Sequence, residues 1–302
     1  RSVRDIAAEL GLDVAYLMRL GLAVGIPPRS PDDRIYTEDD VRMFASSAMA
    51  RPLFGDQAVL RFTRVVGSSL ARIAEAAVTL FQVQVEGPMR EAVATELDLA
   101  RQSLRGVEAL SSVEMLMQPL FRAHVETAIR RLREARPRLS VDTATMAVGF
   151  VDLVGFTTLS RRMSPRELAE VVERFEEAAY DIAASHDGRV VKLVGDEVRF
   201  VTRDPAAACE IGLTLVERFA ADQSVTPRGG LAHGELLVRG GDYYGPIVNL
   251  AARVAQIAVP NELLVTGAVA RASAGAYTFN PAGKRLLKGF DDPVALSTVE
   301  RR

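Results

Sequence analysis

Two aspartates stand where an apolar chain has little reason to place a charge. Asp152 ends the run Thr143–Val151 and precedes Leu153-Val154-Gly155-Phe156-Thr157. Asp196 follows Lys192-Leu193-Val194-Gly195, at what reads as the tip of a hairpin joining strands 189–194 and 197–202. A carboxylate at a strand end, beside a glycine that lets backbone approach, suits a hard cation whose shell is completed by phosphate oxygens. Two such carboxylates can hold the paired Mg²⁺ or Mn²⁺ ions that flank an in-line phosphoryl displacement. On spacing alone, two solvated loop acids read the same way.

A second constellation is Asp242-Tyr-Tyr-Gly-Pro-Ile-Val-Asn249-Leu-Ala-Ala-Arg253. Asn249 and Arg253 lie four apart on a predicted helix and share a face turned away from Val248 and Ala252. An amide and a guanidinium projecting together can position a ribose and stabilise charge developing on a phosphate. Taken alone, they also fit a helix start with a surface arginine.

Together these segments are more specific than their parts. Val151-Asp152-Leu-Val-Gly-Phe-Thr, Lys192-Leu-Val-Gly-Asp196, and Asp242 followed by Asn249 and Arg253 resemble the class III nucleotidyl cyclases. Leu287-Lys288-Gly289 with Pro293-Val294 is similar to that family's last substrate-binding segment, so the resemblance covers about residues 143–300. It implies that Asp152 and Asp196 are the metal aspartates, with Leu153 a further metal position. It implies that Lys192 and Asp242 read the adenine edge and that Lys288 binds the terminal phosphates. Phe156 and Thr157 join the substrate-binding set, and Asn249 and Arg253 become the transition-state pair. The implied reaction is attack of the 3′-hydroxyl of ATP on its α-phosphate, giving 3′,5′-cyclic AMP and pyrophosphate with two Mg²⁺ or Mn²⁺ ions per site. The implied assembly is a head-to-tail homodimer with two shared sites, because one chain carries both sets of residues.

Lys192 with Asp242 favours ATP over GTP. A lysine donates to an adenine ring acceptor, whereas an acid at that position would suit guanine's donor-bearing edge. Val194-Gly195-Asp196-Glu197 superficially resembles the diguanylate cyclase turn, but the first glycine of that turn is missing and the Asn249/Arg253 helix is foreign to it. A catalytically weak nucleotide sensor, or a cyclase of relaxed base preference, is the alternative reading.

The elements that must position these residues fall into two halves. Residues 141–302 interleave strands (143–151, 189–194, 197–202, 228–238, 262–266, 293–299) with helices (164–185, 205–221, 246–257). This predicts an α/β (α+β) catalytic domain with a central sheet flanked by helices. Residues 1–120 read as an all-α regulatory domain and 121–140 as a linker helix. In the first half, helices are predicted at 2–10, 13–20 and from Thr37, then over 56–85, 88–108 and 112–135, the last ended by Arg136-Pro137. Ser164-Pro165 with Glu167 is a cap, an N1 proline and an acidic first turn.

Composition limits the partners. Among 37 basic residues only Lys192, Lys284 and Lys288 are lysine, and the net charge is −2. Residues 1–140 hold 19 arginines against 18 acids, so neither half is the basic body that nucleic acid requires. The opening segment is similar to a helix-turn-helix, but its second helix offers only Arg19, and no DNA binding is expected. The longest run free of Asp, Glu, Lys and Arg is 272–283, too short to span a membrane. One cysteine, Cys209, and no signal peptide point to a cytoplasmic setting.

The helical layout of the first half is similar to that of the mycobacterial pH-responsive adenylyl cyclases, which implies regulation through this region. His124, on the segment leading to the Asp152 strand, is the first candidate for a proton switch, ahead of His186 and His233. Phe62, Leu80, Phe81, Leu116 and Phe121 read as core packing, with a lipid pocket as the other possibility.

Overall fold

The structure, a computed structural model, describes residues 1–26, 30–91, 95–134, 143–221 and 225–302. It divides into two units, Arg1–Arg136 and Pro137–Arg302.

In the first unit, local chemistry sets the short helices. Ser2 and Asp5 form a capping box at α1 (Val3–Leu10), which stops at Gly11 in the left-handed region. Asp13 caps α2 (Val14–Val24), and Thr37 with Asp40 caps α3 (Glu38–Phe54). Their apolar faces close a core around Ile6, Tyr16, Leu17, Leu20 and Phe44. Beyond it run α4 (Asp56–Phe81), a π-helical stretch Gln82–Glu86, α5 (Gly87–Glu91) and α6 (Glu96–Glu134).

Two expectations fail here. The predicted break between 108 and 112 does not exist, because that stretch holds no proline or glycine and α6 runs through it unbroken. Nor are the large apolar residues core: Phe62, Leu80, Leu116 and Phe121 are 61%, 63%, 56% and 65% exposed. These long helices carry apolar positions that the described chain does not cover, and only Phe81 is half-buried, its ring against Gly106. The predicted stop at Arg136-Pro137 lies outside the described residues.

The second unit is one eight-stranded sheet: β1 (Thr143–Val154), β2 (Arg189–Val194), β3 (Glu197–Thr202), β4 (Thr226–Arg239), β5 (Asp242–Tyr244), β6 (Leu263–Thr266), β7 (Tyr277–Arg285) and β8 (Val294–Arg301). The order is β2-β3-β1-β4-β6-β8-β7, with β5 paired to β4 through the tight Gly240-Gly241 turn. All pairings are antiparallel except β4 with β6. The helices are α7 (Phe156–Ser160), α8 (Pro165–Ser185), α9 (Pro205–Ala220), α10 (Pro246–Ile257) and α11 (Gly267–Ala272). The strands β5 and β7 escape the sequence pattern.

Period-two alternation along β1 decides the layers. Ala147 and Val151 pack under α8 and α9 with Phe175, Phe200 and Leu215, while Met146, Val148 and Phe150 pack under α10 with Val248, Ala251 and Ala255. Gly230 of β4 lets α10 sit directly on the sheet, since a Cβ there would fall 2.1 Å from the backbone nitrogen of Ala255.

Candidate active site

The β1 register places Asp152 opposite Glu197 on one side and Arg228 on the other. Residues directly opposite in a ladder project to one face, here the face that α10 covers. Asp196 joins them from the β2–β3 tip, where Gly195 makes the turn at φ 61° and the Asp196 carbonyl accepts from the Leu153 N–H at 3.1 Å. The two aspartates singled out by their apolar context are therefore brought together. Burial, with the charge of Asp152 adding to it, pushes the Asp196 carboxyl above its ordinary value against the pull of Arg228. Glu197 is raised in the same way, by burial first and then by the Asp152 and Asp196 charges.

Arg228 grips Asp152 in a fork, Nε to Oδ1 at 2.8 Å and Nη2 to Oδ2 at 2.9 Å. Its Nη1 also donates to the Gln256 carbonyl at 2.8 Å, at the far end of α10. Neither contact was visible in the sequence.

The donor set fits a hard divalent cation. Two carboxylates converge, their mutual repulsion is offset when a cation joins them, and each keeps lone pairs beyond its present hydrogen bonds. Among the described residues no three His, Cys, Asp or Glu side chains form a cage, which leaves the rest of an oxygen shell to phosphates and water. The Leu153 side chain is buried, so only its carbonyl oxygen is available as a ligand.

Elsewhere in the same sheet, Asp242 opens β5. Its Oδ1 accepts from Arg199 Nη2 of β3 and, at 2.7 Å, from the Tyr243 N–H. Lys192 is exposed on β2 and stands opposite Arg199 in the β2–β3 register, hence on the same face. Arg189 donates to the Gly241 carbonyl at 2.7 Å and lies 5.1 Å above the Tyr243 ring.

On α10, Asn249 is exposed and Arg253 half-buried, the latter donating to the Gln256 side chain at 2.6 Å. Gln256 thus touches Arg253 with its side chain and Arg228 with its carbonyl. Lys288 is exposed in the turn after Leu287, which anchors that segment in a small core with Val254 and Leu264. Phe156 packs partly against the α8/α9 core, and the Thr157 side chain lies outside the described residues. His124 is exposed on α6, and burial lowers the pKa of His233 on β4.

Sequence reasoning missed Arg199 and Arg228. Their one signal is position: each falls on an inward-alternating site of a strand that also carries apolar core residues.

Known proteins give the context for this arrangement. The adenylate cyclase regulatory domain model matches residues 1–129, and the adenylate and guanylate cyclase catalytic domain model matches residues 140–298. An adenylate cyclase of Glutamicibacter nicotianae is 30% identical over 98% of this chain and 78% of its own length. A pH-sensitive adenylate cyclase of Mycobacterium tuberculosis is 31% identical over 99% of this chain and 78% of its own. The adenylyl cyclase CyaB from P. aeruginosa shares the fold at a TM-score of 0.50 and 22% identity, over 54% of this chain and 97% of its own. With its catalytic-domain match and relatives 30% and 31% identical over nearly the whole of it, the chain belongs to the class III nucleotidyl cyclases.

Proposed function

We propose that the chain is an adenylyl cyclase that converts ATP to 3′,5′-cyclic AMP and pyrophosphate. One observation carries the reading: Asp152 and Asp196 converge at the sheet face that α10 covers, in a chain that also carries Lys192, Asp242, Asn249, Arg253 and Lys288. Bound Mg²⁺ or Mn²⁺ would supply charge neutralisation and a lowered pKa for the attacking 3′-hydroxyl. Asp152 and Asp196, with the Leu153 carbonyl, would hold the two ions. Lys192 donates to the adenine ring and Asp242 accepts from its exocyclic amine. Asn249 orients the ribose, Arg253 stabilises charge on the α-phosphate, and Lys288 binds the terminal phosphates together with the Phe156-Thr157 segment.

The active form is a head-to-tail homodimer with two sites, metal carboxylates from one copy and the remaining groups from the other. The uncovered apolar positions on α4 and α6 support association of copies, since exposed faces of this kind favour burial. The helical unit regulates: α6 directly precedes in sequence the strand that carries Asp152, so a change in the helix can be passed along the chain to open or close the shared sites, in response to protons or a lipid. The test is to incubate the purified chain with ATP or GTP and Mn²⁺ and measure cyclic nucleotide, with Asp152→Ala as control. Cyclic AMP from the wild type alone supports the reading. Its absence at acidic and neutral pH, with and without residues 1–138, defeats it.

A further inference from the structure

The base-reading carboxylate does not stand free. Arg199 and the Tyr243 N–H both donate to Oδ1 of Asp242, which leaves Oδ2 as its open acceptor. The Arg199 side chain is 15% exposed, against 34% for Asp242, so the contact is partly shielded from water. Arg189 holds the same hairpin one residue earlier, through the Gly241 carbonyl and the Tyr243 ring. Two arginines of the β2–β3 hairpin therefore fix the Gly240–Tyr244 turn, and Lys192 lies between them in sequence, directly across from Arg199.

This placement has a consequence for Lys192. Lys192 stands across from the arginine that Asp242 accepts from, and a Lys192–Asp242 ion pair would take both base readers out of service. A guanidinium already seated on Oδ1 disfavours that pairing. It satisfies much of the carboxylate's demand, repels the neighbouring ammonium, and leaves one acceptor and one separate donor. That is the pattern of an adenine edge: one amine to be accepted from, one ring nitrogen to be donated to.

We infer that Arg199 is a positioning residue for base selection, acting through Asp242 by holding it apart from Lys192. The inference rests on the adenylyl cyclase reading. Its effect belongs to substrate binding, so it moves KM and leaves kcat nearly unchanged.

The experiment compares full-length wild type, Arg199→Met, Arg199→Lys, Asp242→Asn and the Arg199→Met/Asp242→Asn double variant. Two readouts are taken: kcat and KM with ATP and with GTP, and equilibrium binding of 3′-deoxy-ATP, which cannot cyclise. Arg199→Met is expected to raise KM for ATP and weaken 3′-deoxy-ATP binding about tenfold, equivalent to about 1.4 kcal/mol. It should narrow the ATP-over-GTP ratio while kcat stays within about twofold, and Arg199→Lys should recover part of the loss. In the Asp242→Asn background the same substitution should add almost nothing, as residues acting as a unit are non-additive. Full additivity overturns the inference, as does unchanged KM or a fall in kcat that tracks a lowered melting temperature. If Arg199→Met does not fold, Arg199→Lys decides by the same cycle. A wild type that binds 3′-deoxy-ATP but forms no cyclic AMP defeats the cyclase reading alone, because the binding cycle still judges Arg199.

Discussion

Asp152 and Asp242 are both held by arginine, yet they are held differently. Arg228 occupies both oxygens of Asp152 in a fork, whereas Arg199 and a backbone amide share one oxygen of Asp242 and leave the other open. The base end is thus preset to accept a single hydrogen bond. The proposed metal end sets two carboxylates, Asp152 and Asp196, against the single guanidinium of Arg228, and Asp152 has to share its oxygens when a cation arrives. The contrast teaches that the two ends should respond differently to the loss of an arginine: affinity for metal at one, selection of base at the other.

The largest effect expected is at the metal end. Asp152→Ala should lower cyclic-nucleotide formation by about 10³-fold or more, and should erase any Mn²⁺-dependent rise in melting temperature. A variant that kept the Mn²⁺ response would put the ion elsewhere and break the comparison. Next, Arg228→Met should change Mn²⁺ affinity about 10- to 100-fold, the scale typical of residues that orient a metal ligand, as read by Mn²⁺ titration of protein without nucleotide. An unaltered titration would show that the fork only staples β4 to β1.

Lys192→Arg should cost about tenfold in kcat/KM for ATP, because a forked, planar donor cannot replace a point ammonium at a ring nitrogen. Wild-type kinetics would mean that Lys192 is not a reader. The smallest effect is thermodynamic. Asp196 has a raised pKa, so its folded form binds a proton more tightly than its unfolded form. Stability therefore falls as pH rises through the folded value, and above it the full cost of the buried charge is carried. Asp196→Asn should raise the melting temperature by a few degrees at pH 7–8, with the gain disappearing near pH 4, while activity is lost. A variant less stable than wild type at pH 7.5 would argue that the carboxylate is structural.

Much of this was legible beforehand, for identifiable reasons. Asp152 and Asp196 are charges in an apolar context, and such exceptions are the informative ones. The cap at Ser164, with its N1 proline and acidic first turn, follows from local chemistry and appears as read. The arginine grips were not legible, because 34 of the 37 basic residues are arginine and the type carries no contrast. Their partners are also set by strand register across 76 and 43 residues, which no local pattern encodes. β7 hid for another reason. Pro281-Ala-Gly283 reads as a loop, but at a sheet edge a proline and a bulge are tolerated. The apolar stripes on α4 and α6 misled because helical periodicity marks a face to be covered without naming what covers it.

The close seat of α10 on Gly230 has a genetic corollary. Every missense change at that codon adds at least a β-carbon, and the nearest backbone atom lies 2.1 Å from where that carbon would go. No substitution is silent there. Each must push outward the helix that carries Asn249 and Arg253, so position 230 should yield partial loss-of-function alleles graded by side-chain size. A codon that encodes no side chain at all would then behave in a screen as though it encoded part of the active site.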